Sequence, residues 1–254
     1  YSAAPAAQTA GSTMTPAAEK VDEGNGDQSG RIAGQRRDQF KLLAFNTYNY
    51  NSDLEAVWSE VRRHDADVVL MIEFGPNKKP LIPRMLQRYP FHKSCDYDWD
   101  CAIALFSRLP MHNIELVESG EDDGPRRISA KIALGKQVVT IIGSHILSPN
   151  HGPQANFAEL DFLANLARER DGPMVVAGDL NTTIWAHSFD NFRRKSGLSH
   201  MGHLIPTWPV SPLPLPQIGI DHVFLSPELR LTEIAAGDAA GSDHLPLIAT
   251  IMLR

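Results

Sequence analysis

Apolar residues in this chain come in short runs, each closed by a side chain that can bind a cation or handle a proton, and that pattern restricts the fold most. Residues 174–183, Met-Val-Val-Ala-Gly-Asp-Leu-Asn-Thr-Thr, show it best. Four apolar or small residues ahead of Gly178 predict a short, fully buried strand, and the glycine and polar residues after it end that strand in a turn. Asp179 and Asn181 then stand at a strand's carboxyl end, where open α/β sheets gather their sites. Side chains alternate along a strand, so Leu180 points the other way and the carboxylate and amide share one face. Similar runs close on Asn46, on Glu73 and on Ser144-His145. Between the first two, Leu54, Val57, Trp58 and Val61 recur at helical spacing behind Ser52 or Asp53 as a cap, so strand, helix and strand form a crossover unit. A further helix is predicted over residues 154–168, with Phe157, Leu160, Leu163, Leu166 and Ala167 as its core stripe.

Candidate site residues fall in both halves of the 254-residue chain, and 43% hydrophobic content is enough for a real core, so one domain over residues 39–254 is expected. Residues 1–38 are rich in Ala, Ser, Thr, Pro, Gly and Gln and cannot bury enough surface to offset ordering entropy; a disordered linker or tail is predicted. It could follow a removed signal or a missing membrane anchor. The net charge of −6 argues against a broadly basic nucleic-acid surface, although a cation can screen phosphate. No run approaches the roughly 18 apolar residues of a membrane span. Cys95 and Cys101 could form a short hairpin-like disulfide in an oxidising compartment, or be unrelated thiols.

In order along the chain stand Phe-Asn-Thr at 45–47, Ile-Glu-Phe at 72–74, Ser107-Arg108 after a strand, Gly-Ser-His-Ile at 143–146, the Asp179/Asn181 turn, Ile-Asp-His-Val-Phe at 220–224 and Gly-Ser-Asp-His-Leu-Pro at 241–246. This set resembles the endonuclease/exonuclease/phosphatase superfamily over about residues 40–254, and ordered recurrence of several motifs weighs far more than one match. The resemblance implies a two-sheet α/β sandwich with helices on the outer faces and strand-end loops gathering the site. It also implies a divalent-metal-dependent phosphoesterase acting on phosphodiesters. By the same resemblance Glu73 is the principal metal ligand, with Asn46 and Asp243 assisting; His244 is the general base, held by Asp221. Asp179 and Asn181 position the nucleophile and stabilise the phosphoryl transition state, and His145 donates to a phosphoryl oxygen or the leaving group. Asn46, Arg126 and Trp208 are expected at the substrate.

Oxygen donors dominate the proposed ligands, which favours magnesium, with manganese as a substitute, over zinc. Two departures narrow the family: relatives that act on abasic DNA carry an acid where this chain has Tyr48, and a tyrosine where it has His145. The first weakens any claim of a second metal ligand there and the second points away from abasic-site repair; DNA, RNA or a phospholipid head group are the candidate substrates. The alternative is a noncatalytic module that binds a phosphorylated ligand or partner on the same fold. Thr-Trp-Pro followed by Ile-Asp-His resembles a bacterial branch carried behind membrane-spanning segments, so a periplasmic or membrane-anchored, extracytoplasmic location is expected.

Other groups carry two readings each. Lys78, Lys79, Arg84 and Arg88, on a proline-interrupted helix, could face phosphate or solvent; so could Arg193, Arg194 and Lys195. Arg127 could reach the substrate with Arg126 or lie at the surface. Trp185 could border a groove, with packing under the turn favoured. The prolines of residues 205–218 forbid a regular helix or central strand and predict an extended loop bearing Trp208, Leu213 and Leu215 near the rim, packed on the domain or gripping an apolar substrate.

Overall fold

The computed structural model describes residues 37–95, 102–118, 124–200, 205–210 and 217–254. All lie within one unit, Arg36–Arg254. Leu213, Leu215 and Cys101 lie outside the described residues, as do residues 1–36 of the expected tail. Cys95 is disulfide-bonded.

Strands β1 (Gln39–Asn46), β2 (Val68–Ile72), β3 (Phe91–Ser94), β4 (Ile103–Ser107), β11 (Leu229–Ala236) and β12 (Leu247–Leu253) form one sheet. Its order is β11-β12-β1-β2-β4-β3. Strands β5 (Met111–Val117), β6 (Arg126–Leu134), β7 (Gln137–His145), β8 (Met174–Asp179), β9 (Ser199–His200) and β10 (Asp221–Leu225) form the other, ordered β5-β6-β7-β8-β10-β9. At the centre of each sheet is one parallel pair, β1 with β2 and β7 with β8. Each pair is joined by a helix, α1 (Leu54–His64) or α3 (Pro153–Arg168), as a parallel connection requires.

Period-two alternation divides the core. Phe40, Leu42 and Ala44 of β1 and Val68, Leu70 and Ile72 of β2 join Val175 and Ala177 of β8 between the sheets. Leu43, Phe45, Val69 and Met71 point outward under α1, while Val176 and Leu180 pack under α3 and α4 (His187–Ser196). Helix, sheet, sheet, helix is therefore the layering, the sandwich that the resemblance implied. Leu180 does point away from Asp179, as alternation predicts.

Asp53 caps α1, its carboxylate accepting from Ala56 N at 2.9 Å. The prolines at 80 and 83 break the segment after β2 into a 3-10 turn, Pro76–Leu81, and a single α turn, α2 (Ile82–Leu86). None of Lys78, Arg84 and Arg88 lies free in solvent: Arg84 pairs with Glu55, Arg88 with Asp65, and Lys78 is fully buried. Arg108 also pairs with Asp65 and follows Ser107, which lies opposite Val68 at the far end of β2 from Glu73. Arg193 and Arg194 meet Asp190, and Lys195 meets Asp161, so this triplet is paired with acids at a helix end. Arg127 is buried, its guanidinium 5.3 Å from the Phe162 ring. Trp185 corrects the packing expectation: it is 68% exposed.

Candidate active site

Strand register assembles the site. Arg126 of β6 lies opposite His145 of β7, His145 opposite Asp179 of β8, and Asp179 opposite Asp221 of β10. Residues opposite one another on adjacent strands share a face, so these four form one row across the end of the second sheet. Asn46 and Glu73 come from the carboxyl ends of β1 and β2 in the facing sheet.

Asn46, 1% exposed, ties the two sheets together. Its Nδ2 donates to Glu73 Oε1 at 3.1 Å and to Asp179 Oδ2 at 3.0 Å, and its Oδ1 accepts from Tyr48 N at 3.0 Å. Asn46 thus meets both carboxylates as a donor, while its Oδ1 accepts from the Tyr48 amide. Glu73 Oε2 accepts from Asn49 N at 2.6 Å. His145 Nε2 lies 3.8 Å from Asp179 Oδ2 and 4.0 Å from Glu73 Oε1.

On the other side of Asp179, His244 Nε2 lies 3.8 Å from Asp179 Oδ2 while its Nδ1 meets Asp221 Oδ2 at 2.8 Å. Asp243 receives Trp208 Nε1–H on Oδ2 at 3.1 Å, and its Oδ1 is buried without a hydrogen-bond partner. Asn181 is held by Nδ2–H donation to Ile146 O at 2.9 Å, and its N donates to Asp179 Oδ1 at 3.0 Å. Glu73, His145, Asp179, Asn181, Asp243 and His244 line a half-open cavity of about 890 Å³, together with Arg126, Leu147, Phe157, His187 and Trp208. Phe157 thus faces the cavity, half-buried, while Leu160, Leu163 and Ala167 carry the helix's core stripe.

Charge is distributed unevenly among these groups. Burial alone would lower the His244 pKa, but Asp221 against it, with Asp179 and Asp243, raises it to about 10. Burial, reinforced by the Asp221 charge, pushes the Asp179 carboxyl up to about 7 against the pull of His244, Asn46 and the Asn181 amide. His145 is drawn down to about 4 by burial, with Arg126 and His244 adding to the effect and Glu73 opposing it. At neutral pH the ring beside Asp221 is an imidazolium and His145 is neutral. An imidazolium donates and cannot accept a proton, which bears on the roles expected of His244 and Asp179.

Asp179, Asp221 and His244 place one ligand-type atom each within 4.8 Å of one another. Because the Nδ1 of His244 is already engaged by Asp221, this trio suits proton handling better than a cation. Glu73 and Asp243 line the same cavity and both offer oxygen, and the buried Oδ1 of Asp243 has no hydrogen-bond partner, the donor chemistry that a hard cation takes.

Three residues have supporting roles that the sequence reading does not assign to them. Lys78 donates from Nζ to Tyr48 O at 2.7 Å and Asn49 O at 3.3 Å, bracing the loop that holds Glu73. Burial lowers its pKa to about 8 against the opposing charge of Glu73. Asn156, buried on the inner face of α3, donates to Leu147 O at 2.8 Å and Asn181 O at 3.3 Å. Its only trace in the sequence is an amide among apolar helix positions. Ser242 Oγ donates to Asn46 O at 2.7 Å and accepts from His244 N at 3.0 Å, and the Gly-Ser-Asp-His motif did contain it.

Two facing sheets that gather an Asp–His pair, acids and amides at one end are the arrangement of a phosphoesterase-type class of protein. The profile of the Endonuclease/Exonuclease/phosphatase family matches residues 43–244, so the chain belongs to that family. Solved structures agree on the fold. D. rerio TDP2, humanized by 14 mutations, superposes with a TM-score of 0.69 at 16% identity, covering 84% of this chain and 99% of that one. Sphingomyelinase C from Streptomyces griseocarneus gives 0.61 at 16% identity over 84% and 99%. The Staphylococcus aureus beta toxin F277A, P278A mutant, with bound magnesium ions, gives 0.60 at 18% over 83% and 99%. No curated protein matches the sequence.

Proposed function

We propose that this chain is a divalent-metal-dependent phosphodiesterase. The decisive feature is the row Arg126, His145, Asp179, Asp221 capped by the buried Asp221–His244 pair. Glu73 and Asp243 would hold a magnesium or manganese ion, which supplies Lewis acidity to the phosphoryl group when bound. Asp179, with its pKa near neutrality, takes the proton of the attacking water. Asn181 aligns that water: with Nδ2 tied to Ile146 O, its Oδ1 is left to accept. His244, kept cationic by Asp221, donates from Nε2 to a phosphoryl oxygen and offsets the charge that develops there. Neutral His145 donates alongside it, and Arg126, whose buried Nε has no hydrogen-bond partner, has a donor to spend on the anion. Trp208 orients Asp243 and walls the cavity.

Because the fold neighbours include both a DNA-bound TDP2 and a sphingomyelinase, DNA, RNA and phospholipid head groups are the substrates to compare. The disulfide at Cys95 supports an extracytoplasmic site of action. The test is hydrolysis of plasmid DNA, RNA, sphingomyelin-type lipid and a phosphomonoester with magnesium, using Glu73→Gln as the blank. Turnover of a diester by the wild type alone is expected; equal turnover by the variant rejects the reading.

A further inference from the structure

His222 lies beside the catalytic row but faces the opposite way. Alternation along β10 sends Asp221 and Val223 to the site side and turns His222 and Phe224 toward α4. There His222, 3% exposed, packs against Phe189 with ring centroids 5.1 Å apart. Its Nε2 is 2.7 Å from Thr182 O, and its Nδ1 is 3.2 Å from His200 Nε2.

Chemistry fixes the tautomers. A carbonyl oxygen only accepts, so Nε2 of His222 carries the proton and its Nδ1 must accept. His200 then donates from Nε2. Burial keeps both rings neutral, lowering His222 and taking His200 down to about 4, so each has the single N–H that the chain of donation requires.

Thr182 is the residue after Asn181, and Thr182 Oγ1 is bonded to Ser188 Oγ at 2.8 Å. The turn from Asp179 to Thr182 is therefore gripped from two sides: Ile146 and Asn156 hold Asn181 from one, and His222 holds the next carbonyl from the other. We propose that His222, oriented by His200, is a positioning residue whose Nε2–H fixes the Thr182 carbonyl and thereby sets Asn181 and Asp179 in line with the reacting phosphate. This rests on the phosphodiesterase reading. A displacement of about 1 Å in such a turn is enough to cost about 100-fold in rate.

Two substitutions separate the donor from the ring. His222→Phe keeps an aromatic ring among Phe189 and Phe224 but has no N–H; His222→Gln gives up the ring and keeps an amide N–H at similar reach. With bis(p-nitrophenyl) phosphate and manganese, and with Glu73→Gln as blank, His222→Phe should lose about 10- to 100-fold in kcat with little change in KM. His222→Gln should recover most of kcat even where its melting temperature is the lower of the two. Native kcat in His222→Phe, or equal loss in both variants, overturns the proposal. Should the wild type fail on this diester, the fault lies with the phosphodiesterase reading. The brace is then read by hydrogen exchange of the Asn181 side-chain amide, which speeds up in His222→Phe and not in His222→Gln if the brace exists. Equal protection in both refutes it.

Discussion

Asp221→Asn should change the charge of His244 more than any other single substitution at the site. The ring stands at about 10 against an ordinary 6.5 although burial works to lower it, so the carboxylates around it overcome that penalty and more. Each unit of such a difference corresponds to about 1.4 kcal/mol. Since the folded value is the higher one, the stabilisation is complete below about 6.5 and is lost as pH climbs through about 10. At neutral pH it is on the order of 4 kcal/mol, shared by Asp221, Asp179 and Asp243. The amide would leave the burial penalty in place and remove the largest opposing charge, so the ring should become neutral at neutral pH. Nitrogen-15 spectra of histidine-labelled protein read this directly: the wild-type His244 signal should stay imidazolium well into alkaline pH, and the variant should lose its proton near or below the ordinary histidine range. Urea unfolding adds an independent measure, with a stability gap between the two proteins that closes as pH rises toward 10. A wild-type His244 that titrates near 6.5, or a gap that ignores pH, refutes the account.

Glu73→Gln should abolish binding of manganese in calorimetry while circular dichroism stays native, because the substitution removes a charge from a half-buried loop residue and no core volume. Turnover of the wild type should rise as pH passes about 7, where Asp179 loses its proton, and that limb should be absent from the residual activity of Asp179→Asn. Gly178→Ala should lower the melting temperature sharply: φ at this position is +131°, and a Cβ would stand 2.2 Å from the backbone oxygen of Ser144, which cannot swing aside. A native melting temperature in that variant would show that the β7–β8 ladder can move.

How far the sequence discloses this site follows from the physics of each part. Alternation and short apolar runs locate β1, β2, β7 and β8 and put Asn46, Glu73, His145 and Asp179 at their ends, because a strand buried on both faces can carry polar groups only where it leaves the core. The pairing of the strands is another matter. Nothing local to Arg126 or Asp221 says that they flank His145 and Asp179 in one row; that depends on antiparallel register between segments distant in sequence. Charge state is hidden for the same reason, since His244 owes its proton to Asp221, Asp179 and Asp243 together, and only Asp243 stands beside it in its motif. Lys78 and the basic triplet at 193–195 look alike as sequence, yet one is swallowed by a loop rich in carbonyls and the other stays on a helix end. Proline spacing predicted an interrupted helix at Lys78 but not that the interruption would turn it inward.

Backbone strain explains why the site sits just beyond the strands. Tyr48, Glu73 and Asn181 all have left-handed backbone, with φ of 58°, 55° and 46°, a conformation that costs any residue with a side chain of this size. Each is held there by bonds from different parts of the fold. Tyr48 N donates to Asn46 Oδ1, and its oxygen accepts from Lys78. Glu73 O accepts from Thr47 Oγ1 at 3.1 Å while its carboxylate is held by Asn46 and Asn49. Asn181 is bonded at its N, its Nδ2 and its O. A strand that simply continued would send the residue after Ile72 to the opposite face of the sheet; the left-handed step re-aims Glu73 toward Asn46 and His145. The conformational cost at these positions is therefore what turns two sheet ends toward a common point, and the hydrogen bonds that offset it keep the acids and amides fixed before any phosphate arrives.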